Sequence, residues 1–204
     1  NRLGTGGMGI VYMGTNGTRA AAVKVVRDFL LEESGSRARL AREVETLQKV
    51  RSNFVAEIVG SDISGKNAWI ATNYVDGPSL KVLIDKEGPL SESQWFIFAK
   101  GLITALAAIH QSNVTHRDVK PSNILRTVTG NPVLSDFGVA AARFFTVDDH
   151  RIAMSIPWSP PEIINEDVVG SVSADIWSLG ATVYSLLAGH SQRAQLGVFG
   201  LGNG

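Results

Sequence analysis

Apolar positions follow two different periods along the chain. In the first third, Ile10–Met13, Ala20–Val26, Ala56–Asp62 and Ala68–Tyr74 are short runs rich in β-branched and apolar residues, each predicting a strand. Gly14–Gly17 and the stretch Ser64-Gly65-Lys66-Asn67 supply turn residues within the two strand pairs. Between the pairs, Leu40, Val44, Leu47 and Val50 recur at helical spacing, which predicts a helix over Arg37–Val50. Further on, Ser91 with Gln94 three residues later forms a capping-box pattern. It opens a helix through Ile109 with Trp95, Phe98, Leu102, Ala105, Leu106 and Ile109 as the apolar stripe. A loop-rich middle runs from Ser112 to about Glu162, and Ala174–Leu187 predicts a last helix, apolar nearly all round. Strands first and helices later predict an α+β arrangement of two lobes. Internal repeats and low-complexity linkers are absent.

Composition narrows the function classes. The 204 residues are 44% apolar, enough to bury a core. Lys plus Arg and Asp plus Glu both number 19, so the formal net charge is zero. A neutral chain lacks the broad basic face that holds nucleic acid or anionic lipid, so any bound anion must be held by a local site. There is no cysteine, which removes disulfides and thiolate metal sites. The longest uncharged apolar run, near Gly101–Ile109, is far short of the roughly 20 residues that span a bilayer. A cytoplasmic location is therefore expected for this stretch, and the start at Asn1 is expected to be a cut edge.

Three groups of residues carry chemistry. Gly4-Thr5-Gly6-Gly7-Met8-Gly9 fits a glycine-rich phosphate loop, in which missing Cβ atoms let backbone N–H groups approach a phosphate. A flexible glycine turn fits the same residues. Ile10-Val11-Tyr12 continues as strand, however, where a dinucleotide loop would need a helix. A hairpin flap over a nucleotide is thus expected. Lys24 lies inside a strand, and Glu43 shares the buried side of the helix carrying Leu40 and Leu47. A carboxylate there needs a cation, and Lys24 is expected to supply it. The third group is His116-Arg117-Asp118-Val119-Lys120-Pro121-Ser122-Asn123, with Asp136-Phe137-Gly138 beginning eighteen residues after Asp118. Asn123 and two acidic centres make an oxygen-rich site for a hard cation such as Mg2+, completed by substrate phosphates. Asp118 then accepts a hydroxyl proton while Lys120 neutralises charge on the transferred phosphoryl group.

These motifs, in this order, resemble the protein kinases, and the resemblance runs from Asn1 to about Gly189. It implies a small β-rich N-lobe over residues 1–75, a helical C-lobe over 76–204, and a chain that lacks the family's C-terminal helices. It implies ATP and Mg2+ as cofactors, phosphoryl transfer to Ser or Thr of protein substrates including autophosphorylation, and a role in signal transduction. Gly4, Thr5, Gly6 and Gly9 would form the flap, and Val11 and Ala22 the roof over adenine. Lys24 would hold the α- and β-phosphates and pair with Glu43. Asp118 would be the base, with Lys120 beside it, and Asn123 and Asp136 the metal ligands. Thr72 would guard the back of the adenine pocket, Asn73 to Val75 would be the hinge that bonds adenine, and Leu125 the floor.

The Lys120-Pro121-Ser122-Asn123 run is similar to the serine/threonine-specific form of the loop, and Ser155 would contact Asp118 and Lys120. Thr146 is the expected activating phosphosite, with Arg117 pairing its phosphate. The Gly-Gly-Met-Gly flap and the ending at Glu162 are most similar to bacterial, actinobacterial members. Pro160-Pro161-Glu162 departs from the usual Ala-Pro-Glu, and Glu162 would want an arginine of which Arg193 is the one candidate downstream. His110, at a helix end, is expected to be a core or capping residue. A pseudokinase would have lost one of Lys24, Asp118, Asn123 or Asp136, and all are present.

Overall fold

The structure, a computed structural model, describes residues 1–15, 17–32, 34–137, 156–165 and 170–190. Five antiparallel strands form the first sheet: β1 (Arg2–Gly6), β2 (Gly9–Thr15), β3 (Ala20–Val26), β4 (Ile58–Asp62) and β5 (Trp69–Asn73), in the order β1-β2-β3-β5-β4. Helix α1 (Ser36–Leu47) buries Leu40, Val44 and Leu47, the residues whose spacing predicted it. It ends three residues before the expected Val50, where backbone turns replace the helical ladder.

The second unit is helical. Helix α2 (Leu80–Glu87) is capped by the Ser79 hydroxyl, which accepts from Val82 N–H. Helix α3 (Glu92–Gln111) starts on the predicted capping box, with both reciprocal bonds between Ser91 and Gln94 formed. A two-stranded ladder, β6 (Ile124–Arg126) and β7 (Pro132–Leu134), follows the His116–Asn123 motif, the candidate catalytic loop. A four-residue helix α4 (Pro161–Ile164) precedes α5 (Val172–Ala188), which extends two residues before and one beyond the expected range because Ser171 caps it and Gly189 turns left-handed after it.

The core is continuous between the units. Val26, Leu40, Val44 and Ile70 from the sheet side join Leu80, Leu102, Ile109, Ile124, Leu134 and Leu186 below. The connection after β5 crosses close to β6: a Cβ on Gly77 would stand 1.8 Å from Arg126 O, so only glycine lets the two backbones approach. That contact fixes where the sheet meets the helices, and the main cleft opens beside it.

Helix α5 is apolar nearly all round, as predicted, yet only part of it is covered. Leu186 is fully buried, whereas Ile176, Trp177 and Leu187 are 58%, 49% and 46% exposed. Burial decides what each residue is worth. Leu186→Ala should cost about 2–5 kcal/mol in urea unfolding, and Leu187→Ser, one position on, should stay within about 0.5 kcal/mol.

Candidate active site

The cleft between the units has a volume of about 440 Å3 and two chemically different ends. Its apolar end is lined by Leu3, Val11, Ala22, Ile70 and Leu125, with Thr72, Asn73, Tyr74 and Val75 along one edge. Along that edge Asn73 N–H donates to Glu57 O and Tyr74 N–H to Ala20 O. Among the described residues Val75 N–H makes no hydrogen bond, so it is a backbone donor open to a ligand. The polar end holds Lys24, Asn123 and Asp136.

The glycine motif forms the hairpin that its strand continuation predicted. Gly6 faces Gly9 across β1 and β2, with Gly7-Met8 as the tip. Gly4 lines the cleft, while Thr5 and Gly6 are exposed above it. A Cβ on Gly9 would stand 2.2 Å from Val25 O, so that glycine is required by the close approach of β3.

The catalytic-loop motif draws together Asp118, Lys120 and Asn123. Lys120 Nζ lies 2.9 Å from Asp118 Oδ2, and Asn123 Nδ2 donates to Asp118 Oδ2 at 2.7 Å and to Asp118 O at 2.8 Å. The Asp118 side chain is only 12% exposed, so two donors hold its carboxylate in one orientation. Pro121 opens the short 3-10 turn that brings Asn123 back onto Asp118.

The ion pairs differ from the sequence expectation. Lys24 and Glu43 do not meet. Lys24 bonds Asp136, and Met8 Sδ sits 3.9 Å from its ammonium. Glu43 is paired instead with Arg117 Nη1 at 2.7 Å. The premise that a buried carboxylate takes a cation holds, but the cation comes from the catalytic loop. Burial raises the Glu43 carboxyl above its ordinary value, and the Arg117 guanidinium opposes that rise. Arg117 is thereby engaged at Glu43. Thr146, which was expected to present it with a phosphate, lies outside the described residues, as do Ser155, Gly138 and Arg193. Glu162 is half-buried and makes no ion pair among the described residues.

One part of the site escaped the sequence reading. Asp175, in the first turn of α5 and 1% exposed, accepts from His116 N–H at 2.7 Å and Arg117 N–H at 2.8 Å. His110 Nε2 lies 2.8 Å from the same carboxylate, so this helix-end histidine compensates a buried charge. The nearest sequence signal is an aspartate on an otherwise apolar helix with no cation in its own α5 turns. His116 itself is fully buried against Phe137, ring centroids 4.9 Å apart. Burial holds its imidazole below the ordinary value, with Asp175 and Asp118 opposing the shift.

The comparisons with known proteins follow the same lines. The protein kinase domain family matches residues 1–195. The serine/threonine-protein kinase AfsK of Streptomyces griseus is 36% identical over 193 residues, covering 93% of this chain and 24% of that protein. The crystal structure of the Mycobacterium tuberculosis PknI kinase domain superposes with a TM-score of 0.73 at 25% identity, covering 94% of this chain and 73% of that one. Rad53, crystallised with AMP-PNP, shares the fold with a TM-score of 0.75 at 24% identity, over 94% of this chain and 47% of that one. The chain thus spans about a quarter of the length of AfsK.

Two outcomes follow from the geometry. In a double-mutant cycle on unfolding, Glu43→Gln and Arg117→Gln should couple by about 0.5–1.5 kcal/mol, while Glu43→Gln and Lys24→Met should be nearly additive. The second outcome concerns acid. The folded state keeps His116 neutral, whereas the unfolded chain protonates it near 6.5, so stability falls as pH drops through that value. Glu43 acts oppositely, because its raised carboxyl is relieved as pH falls toward 4.5. Urea midpoints measured from about pH 7.5 to 5.5 should therefore fall in the wild type, and His116→Asn should flatten that slope.

Proposed function

The chain belongs to the protein kinase family, and from that membership we propose that it transfers the γ-phosphoryl group of ATP to serine or threonine hydroxyls of proteins. The observation that carries this reading is the two-ended cleft. An unpartnered Val75 N–H lies at its apolar end, and Lys24, Asn123 and Asp136 at the other. A nucleoside triphosphate has this same division, a flat base with hydrogen-bonding edges and a string of anionic phosphates.

The residues fit ATP and Mg2+ in type and placement. Val11 and Ala22 would cover the base, Leu125 would support it, and Asn73 and Val75 would bond its edge. The flap residues Gly4, Thr5, Gly6 and Gly9 would cover the phosphates, and Lys24 would neutralise them. Asn123 spends its side-chain nitrogen on Asp118, which leaves its side-chain oxygen, Oδ1, as a candidate metal ligand beside Asp136. Mg2+ bound there would neutralise charge developing on the phosphates.

Asp118 is the proposed base. Its carboxylate accepts the substrate hydroxyl proton as that oxygen attacks phosphorus, and Asn123 and Lys120 hold it in position. Lys120 also faces the phosphoryl group in flight and offsets its charge. Glu43 is held by Arg117, so the carboxylate beside Lys24 is that of Asp136. Residues 1–75 and 76–204 are read as the two lobes on either side of the cleft. The protein substrate, autophosphorylation with kinase self-association, and a signalling role belong to this proposal.

Asp118→Asn keeps the shape of the side chain but removes the proton acceptor. It should lower turnover by at least about a hundredfold while leaving ATP affinity within about twofold. Steady-state phosphorylation of a generic protein substrate, alongside calorimetric ATP binding, measures both. Turnover that survives within about tenfold would sink the assignment of the base.

A further inference from the structure

Arg27 lies outside the cleft lining, yet it is tied to the glycine flap at two points. Strand β3 ends at Val26, and the next residue, Arg27, donates its backbone N–H to Met8 O at 3.1 Å. The guanidinium turns to the same hairpin, where Nε and Nη2 donate to Gly6 O at 3.4 and 3.3 Å. These bonds bracket Gly7 at the tip. Met8 is tucked in, 9% exposed, whereas Gly4 is half-buried and Thr5, Gly6 and Gly7 face solvent.

A run of glycines has little order of its own, because each residue ranges over φ of both signs. Such a flap cradles phosphate only if its peptide planes are already turned the right way, since ordering them on binding would cost affinity. In a trans peptide the C=O and the following N–H point to opposite sides. Holding Gly6 O on Arg27 therefore turns Gly7 N–H away from the guanidinium. The two guanidinium contacts are long and share one oxygen, so each is weak alone, and they act together with the Arg27 N–H bond to Met8 O.

We propose that Arg27 is a positioning residue for the phosphates of the bound nucleotide, acting through Gly6 and Met8 without touching the nucleotide itself. The proposal rests on the reading of the cleft as an ATP site. It makes the flap's affinity for phosphate depend on a side chain outside the cleft, and it leaves the base-binding end independent of Arg27.

The test compares ATP with Mg2+ against adenosine by calorimetry, in wild type, Arg27→Ala and Arg27→Lys. Arg27→Ala should raise the Kd for ATP about three- to tenfold and leave that for adenosine unchanged. The unchanged adenosine affinity reports, in the same sample, that the variant is folded. Arg27→Lys, with one charged donor in place of the fork, should recover part of the loss. If Arg27→Ala does not fold, Arg27→Gln gives the same comparison. Equal weakening of ATP and adenosine, or an ATP affinity that does not move, overturns the proposal. A wild-type protein that binds neither overturns the nucleotide reading and this inference with it, so the two failures are told apart.

Discussion

Everything at the site hangs from one buried carboxylate. Asp175 is almost wholly removed from water at the start of an apolar helix, where an uncompensated charge would be strongly unfavourable. Its compensation comes from the chain entering the catalytic loop, through His116 N–H and Arg117 N–H, and from the His110 imidazole. The same bonds that satisfy the charge also fix that backbone. Arg117 sits at φ 68, a conformation that a non-glycine residue adopts only when held there, and Asp118 is the next residue. The orientation of Asp118 thus begins two helices away.

From that anchored segment the electrostatics reach across the cleft. Arg117 extends from the fixed backbone to Glu43 on α1, and the Arg117 stem packs where a Cβ on Gly170 would intrude at 3.0 Å. Lys24 meanwhile pairs with Asp136, itself at φ 61. Glu43 with Arg117, Lys24 with Asp136 and His110 with Asp175 join different elements, whereas Asp118 and Lys120 pair within one loop. A chain with zero formal net charge can therefore still concentrate opposite charges at one place. Removing His110 or Arg117 would leave a buried or largely buried carboxylate short of its compensation, whereas Asp136, 41% exposed, keeps access to water.

Legibility in the sequence followed the range of the interaction. The capping box at Ser91 and the hairpin flap depend on residues within a few positions and lie where the sequence predicts, whereas the 3-10 turn at Pro121 falls in a stretch read only as loop. Strand β1 was hidden because Leu3 is its only large apolar residue among glycines. Strands β6 and β7 have three residues each, too short for a period, and exist because they pair with each other and sit on α3 and the core. Helix α2 is eight residues long and is fixed by the Ser79 cap and by burial of Leu80, Leu83 and Ile84. Its pattern alone stays below what an isolated helix needs.

The residue types of the candidate site, their order along the chain, and the succession of strands and helices are legible before any folding is considered. Periodicity and short motifs encode these locally. Which cation meets which carboxylate depends on packing between distant elements. Glu43 joins Arg117 across 74 positions, Lys24 joins Asp136 across 112, and His110 joins Asp175 across 65. A buried charge is stabilised by whichever opposite charge packing brings within hydrogen-bond reach, and separation along the chain carries no record of that distance.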